Sequence, residues 1–346
     1  MSLGQHLSTV KDAWAMARAA GVAGTANWLL LGISFMASKW AKRPLVWARP
    51  AAISIEPTTS CNLRCPECIS GTRTFTRKTG MLDPAQFRHF AQSMRPSAFY
   101  LNLYFQGEPF LNPAFLQMVA TARTFGYYTA TSTNGHYLTP DMCRQVVASG
   151  LNRLVVSIDG TTQETYKKYR VGGTLAKVVQ GLENLRQAKK EAAGKGPFVI
   201  FQFIVFAHNE HQIADASAMA KDLGVNAFVL KTAQLNDLAN SANMLPTAPE
   251  HSRYVAVSEK AIAFRNELSD HCWRMWSGLV VSWDGLVLPC CFDKDASHAV
   301  GNLTEQSFAS IWKSDKYQRF RAQLFTDRSS IDICQNCTEG HQVFAA

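Results

Sequence analysis

The chain has 346 residues, 47% hydrophobic and 18% charged, enough apolar material for one large domain plus an appendage, which excludes a disordered chain. Its net charge is +9, but the basic excess lies in an apolar N-terminal context, which argues against nucleic acid as a partner. Nine cysteines without an evident cleavable signal sequence read as metal ligands rather than disulfides, and that chemistry asks for a reducing, cytoplasmic setting.

Residues 1–49 form an apolar, basic extension. Lys11, Arg18, Lys39, Lys42, Arg43 and Arg49 face a single acid, Asp12, and the segment between Arg18 and Lys39 is uncharged. Its runs Trp28–Leu31 and Ile33–Met36 reach spanning length, but Gly21, Gly24, Asn27 and Gly32 weaken a transmembrane reading. A helix in the membrane interface, peripheral on the inner face, fits best; a true span and a helix packed on the protein's own core remain open.

After Pro50 strands and helices alternate. Apolar or β-branched runs at 52–56, 99–105, 128–133, 153–159, 198–206 and 227–231 predict six strands, with helices predicted at 84–94, 113–125, 140–149, 175–190 and 211–223. Asp83-Pro84 and Thr139-Pro140 are helix starts, and Gly126 and Gly224 are helix stops. Such alternation implies parallel strands with right-handed crossovers. Six strands are two short of a closed barrel, so residues 50–235 are expected to form a partial (β/α)6 TIM-like barrel. Residues 236–270 read as a linker with a sixth helix at about 250–267, and 271–346 as a small C-terminal domain. The stretch 280–289 predicts a hairpin turning at Asp284-Gly285.

The first strand runs into Cys61-Asn62-Leu63-Arg64-Cys65-Pro66-Glu67-Cys68, a C-x3-C-x2-C loop. Three thiolates on one loop hold three irons of a [4Fe–4S] cubane and leave the fourth open to a small molecule; a zinc loop is the plain alternative. The loop resembles that of radical SAM enzymes. The resemblance implies that the open iron binds S-adenosylmethionine (SAM), whose reductive cleavage gives a 5′-deoxyadenosyl radical. It also places SAM contacts at the strand ends: Gln106, Gly107 and Glu108, similar to the family's GGEP segment with Gln106 replacing a glycine, then Ser132 and Asn134, then Ser157 and Asp159. Glu67 stands where the family commonly has an aromatic residue beside the adenine.

Cys272, Cys290, Cys334 and Cys337 form a second set, with Cys291 an alternative to Cys290 and Cys143 an inert helix thiol. They allow a closed zinc site and resemble the SPASM domain of radical SAM enzymes in its shortened "twitch" form, which implies one auxiliary [4Fe–4S] cluster. The implied activity is hydrogen abstraction from an unactivated C–H, with oxidation of a small polyol, sugar or membrane-associated substrate expected and a reductant such as flavodoxin or ferredoxin. Peptide modification or epimerisation is the alternative enzyme reading, and an iron–sulfur carrier the non-enzymatic one. Asp293, beside the cysteine pair, is the expected base; Tyr104, Gln202 and Lys231 are expected to line the pocket.

Overall fold

The computed structural model describes residues 3–95, 97–265 and 268–337. Six parallel strands, β1 (Ala52–Ile55), β2 (Tyr100–Asn102), β3 (Tyr128–Thr133), β4 (Arg153–Ser157), β5 (Phe198–Val205) and β6 (Ala227–Thr232), lie side by side in chain order. Each strand alternates in register with its neighbours, so Ile53, Leu101, Leu154 and Phe201 face the outer helices and are fully buried. The opposite faces line an open lumen. The helices Pro84–Ser93, Phe115–Thr124, Pro140–Ser149, Leu175–Glu191 and Ile213–Asp222 cover the outside. Their starts follow the sequence signals: Asp83 accepts from the Ala85 and Gln86 amides, and Thr139 from Met142 N.

Two regions depart from expectation. The helix expected at 250–267 is absent: β7 (Tyr254–Ala256) and β8 (Ile262–Phe264) form an antiparallel pair there, and residues 266–267 lie outside the described residues. The C-terminal region, in turn, is not a separate layer. Its hairpin, β9 (Gly278–Val281) and β10 (Leu286–Leu288), followed by β11 (Gly301–Asn302), continues the barrel sheet because β9 pairs in parallel with β1. One sheet of nine strands therefore carries both cysteine groups.

The N-terminal helix, Leu3–Ala41, bends at Gly21. Its first half closes the floor of the lumen: Asp12 is ion-paired with Arg153 and accepts from the Tyr128 hydroxyl, beneath the stacked rings of Tyr100 and Tyr128. Its second half packs Leu31 and Phe35 against Trp273 and Trp276 of the C-terminal region. Packing on the chain's own core thus accounts for one face of this helix.

Candidate active site

The cysteine loop is held by close backbone contacts that only small residues allow. A Cβ on Gly71 would stand 2.5 Å from Cys65 O, and one on Gly107 would stand 2.4 Å from Thr58 O. Because Gly107 can approach, Glu108 N donates to Ser60 O at 2.7 Å and Gly107 N to Ser70 Oγ at 2.9 Å. The strand-end motif and the cysteine loop are therefore one rigid unit.

Within it Cys61, Cys65 and Cys68 are electrostatic neighbours. Burial pushes the Cys61 thiol up to about 12, and the nearby Glu108 and the other two cysteines add to the rise. Thiolates in such a place need a cationic partner, and a metal cluster supplies one. The donor set fits an iron–sulfur cluster.

A cavity of about 320 Å³ opens beside these cysteines. Gly107, Glu108, Ser132, Asn134 and Ser157 line it, as do the expected pocket residues Tyr104, Gln202 and Lys231. Glu108 accepts from Thr133 Oγ1 and Asn134 N, both at 2.8 Å, yet burial outweighs these bonds and lifts its carboxyl to about 7. Asn134 Nδ2 donates to Asn62 Oδ1 at 2.8 Å and lies 4.0 Å from Cys61 Sγ.

Two expected cofactor contacts are placed differently. Gln106 is buried and does not line this cavity. Asp159 is fully buried, accepting from Arg170 Nε at 2.6 Å and Ile204 N at 2.7 Å. Asp159 instead positions Arg170, which lines the cavity with Nη1 3.9 Å from Cys65 Sγ. Sequence reasoning missed Arg170; the only signal was a cation following the aromatic-rich helix Gln163–Tyr169. Glu67, in the family's aromatic position, turns outward and accepts from Asn236 N at 2.7 Å.

The lumen continues into a second cavity of about 250 Å³ that shares Tyr100 and Asn102 and is also lined by Ser54, Arg274, Cys290 and Cys291. The paired cysteines have different surroundings here. Cys290 packs with Cys272, Trp273 and Cys334, whereas Cys291 packs against Phe105, Val280 and Leu288 on the barrel side. Cys334 is an electrostatic neighbour of Cys272, and Arg328 lies beside Cys272, Cys334 and Cys337, its Nη2 3.5 Å from Cys337 Sγ. Three buried thiols beside a guanidinium, with Cys290 packed against Cys272 and Cys334, suit a closed anionic cluster. Cys143 is fully buried in its helix, far in kind from either group, with Sγ directed at Gly181 O.

Asp293 is a correction. Its carboxylate is fully buried and accepts from Ser297 N, Ser297 Oγ and His298 N, so it pins its own loop, and it lines neither cavity. The next residue, Lys294, lies near both cysteine regions. Its ammonium has Cys68 and Cys291 as electrostatic neighbours, one from each cysteine region, and burial lowers its pKa.

Family models match twice: the radical SAM superfamily over residues 55–226 and the SPASM iron–sulfur cluster-binding domain over residues 272–338. Among curated proteins, the chain is 25% identical to a tungsten-containing aldehyde ferredoxin oxidoreductase cofactor-modifying protein of Pyrococcus furiosus, covering 82% of this chain and 86% of that one. It is 26% identical to an AdoMet-dependent heme synthase of Methanosarcina barkeri, over 83% of this chain and 88% of the other. Among solved structures, Streptococcus suis SuiB bound to S-adenosylmethionine superposes with a TM-score of 0.62 at 13% identity, over 85% of this chain and 73% of its own. The C-x3-C-x2-C loop at the mouth of a partial barrel, the strand-end cradle and the second cysteine set thus have one explanation: the chain is a radical SAM enzyme with a SPASM auxiliary iron–sulfur domain.

Proposed function

We propose that this radical SAM enzyme oxidises a small polar substrate, a polyol, sugar or membrane-associated molecule, held in the lumen between its two cysteine groups. The observation that carries this reading is the lumen itself. It is closed below by Asp12, Tyr128 and Arg153, and lined by Ser54, Asn102, Gln202 and Lys231, a set that hydrogen-bonds hydroxyl groups and pairs with an anionic one. Relatives named for heme synthesis and for cofactor modification favour a small-molecule substrate over a protein surface.

When bound, SAM and its cluster supply a 5′-deoxyadenosyl radical that takes one hydrogen atom from a substrate C–H, and the auxiliary cluster supplies a one-electron acceptor. Cys61, Cys65 and Cys68 would hold the first cluster; Cys272, Cys290, Cys334 and Cys337 would hold the second. Glu108 would accept from the SAM amino group and Arg170 would pair with its carboxylate. A substrate that has lost a hydrogen atom and an electron becomes a carbonyl only when a proton also leaves. Lys294, whose charged form burial disfavours, takes that proton on Nζ.

A second, redox-neutral reading rests on Cys291. It lines the lumen beside Ser54 and Asn102, where a thiol can return a hydrogen atom to a substrate radical and give epimerisation, the thiyl radical left behind being restored by one electron from the external reductant and a proton from solvent. The test is anaerobic turnover of the reconstituted enzyme with SAM, a flavodoxin or dithionite reductant and candidate polyols and sugars. Lys294→Met is expected to form 5′-deoxyadenosine while oxidised product falls about 10²–10⁴-fold. Unchanged oxidation in Lys294→Met removes the base, and loss of product in Cys291→Ala alone favours epimerisation.

A further inference from the structure

The N-terminal helix has two apolar faces, and only one is covered. Leu31 and Phe35 are buried against Trp273 and Trp276, with Ser34 and Ser38 bonded to the backbone of Leu45. On the opposite side Val22, Leu29, Ile33, Met36 and Trp40 recur at helical spacing and are between 54% and 91% exposed. The most apolar stretch of this helix has a mean hydropathy of 1.4, enough for a membrane span, yet only 22% of it is buried inside the protein. A core helix of that composition would be mostly covered.

We propose that this outer face lies flat on an anionic lipid bilayer. The charge around it selects this occupant. Lys39, Lys42 and Arg43 are exposed at its C-terminal end and Arg49 is exposed beside Asn27, with no acid among them, and the exposed Trp40 at the same end carries an indole ring of the kind that favours the headgroup layer. A second copy of the chain would set these cations against themselves, whereas anionic lipid neutralises them. The inner face decides the orientation. Asp12 is locked to Arg153 and Tyr128, and Phe35 to two tryptophans, so the helix cannot turn upright without giving up the lumen floor and the contact with the C-terminal region. The bend at Gly21, with φ of 57°, separates the half that closes the barrel from the half that carries the lipid-facing surface. None of this depends on the identity of the reaction.

The test is co-sedimentation of the full-length, cluster-loaded protein with phosphatidylcholine vesicles, with and without phosphatidylglycerol at about a quarter of the lipid. The wild type is expected to bind the anionic vesicles, to bind about tenfold less in high salt, and to be released by alkaline carbonate. Ile33→Glu with Met36→Glu should abolish sedimentation while keeping iron content and circular dichroism. Lys42→Gln with Arg43→Gln, outside the helix, should weaken binding to the anionic vesicles only. The proposal is overturned if the wild type stays in the supernatant, if the double glutamate variant binds equally, or if carbonate fails to extract it. A dimer that the same glutamate variant dissociates would give the face to a second copy and also overturn it.

Discussion

Glu108 shows how one side chain serves both architecture and chemistry. It fixes the ends of β2 and β3 through Thr133 and Asn134, and it lines the SAM cavity. Burial lifts its carboxyl from the ordinary range to about 7. The sign follows directly. Between the unfolded value and about 7 the folded protein holds a proton the unfolded chain has lost, so this group's contribution to stability falls as pH rises through that window. SAM binding runs the other way, since the ionised carboxylate is the better acceptor for the amino group. Affinity for SAM is expected to weaken below pH 7, by at most about tenfold per pH unit for one proton. Equilibrium dialysis across that range checks this, and Glu108→Gln should flatten the profile; an unchanged slope in the variant would assign the dependence to another group. At this scale the sequence was legible where a motif named the residue. It was silent on Arg170 and Lys294, which three-dimensional neighbours rather than spacing bring to the cysteine regions.

Among the secondary-structure elements, the barrel strands and most of their helices could be read because each carries its own periodicity and cap. The two helices Phe308–Lys313 and Asp315–Asp327 could not, because Ser314 ends one and caps the next, interrupting the apolar spacing. Three-residue strands such as β7 and β8 carry no period at all, so a helix was expected in their place. The junction of β9 with β1 was equally invisible, being a pairing across more than 200 residues of sequence. A buried ion pair secures it. Glu56, at the end of β1, is fully buried and takes both Arg77 nitrogens, at 2.9 and 2.6 Å, and the Trp283 amide of the hairpin at 3.3 Å. Burial raises the Glu56 carboxyl's pKa, with Asp284 adding to the rise, while Arg77 and the Trp283 amide oppose it. Arg77→Met leaves that carboxylate buried and unpaired, and is expected to destabilise by about 3–5 kcal/mol. Glu56→Gln combined with Arg77→Met should recover much of the loss. Urea unfolding of the three variants decides it; a single-variant loss below about 1 kcal/mol would show that water already compensates the pair.

Across the whole molecule, the N-terminal helix packs both on the barrel strands β2, β3 and β5 and on the C-terminal region that carries the second cysteine group. The helix contributes Asp12 to the barrel floor and Phe35 to the wall beside the second cysteine group, where Trp273 directly follows Cys272. Phe35 is 2% exposed, with its ring 5.4 Å from both Trp273 and Trp276 in edge-on contacts. Phe35→Ala removes that aromatic wedge, and a cavity of this kind costs about 3–5 kcal/mol. The loss should not spread evenly, because local opening follows the contacts removed. The barrel cysteines sit on a loop held by Gly71 and Gly107, remote from Phe35 in the packing, so their cluster should survive. Two [4Fe–4S] clusters give about eight irons per chain. In Phe35→Ala, a chelator is expected to strip iron quickly to about half that content and then stall. The residual protein should still cleave SAM to 5′-deoxyadenosine. Even, monophasic loss of all iron would mean that the sheet transmits the damage to both sites, and unchanged chelation would mean that the helix is not needed to hold the auxiliary site closed.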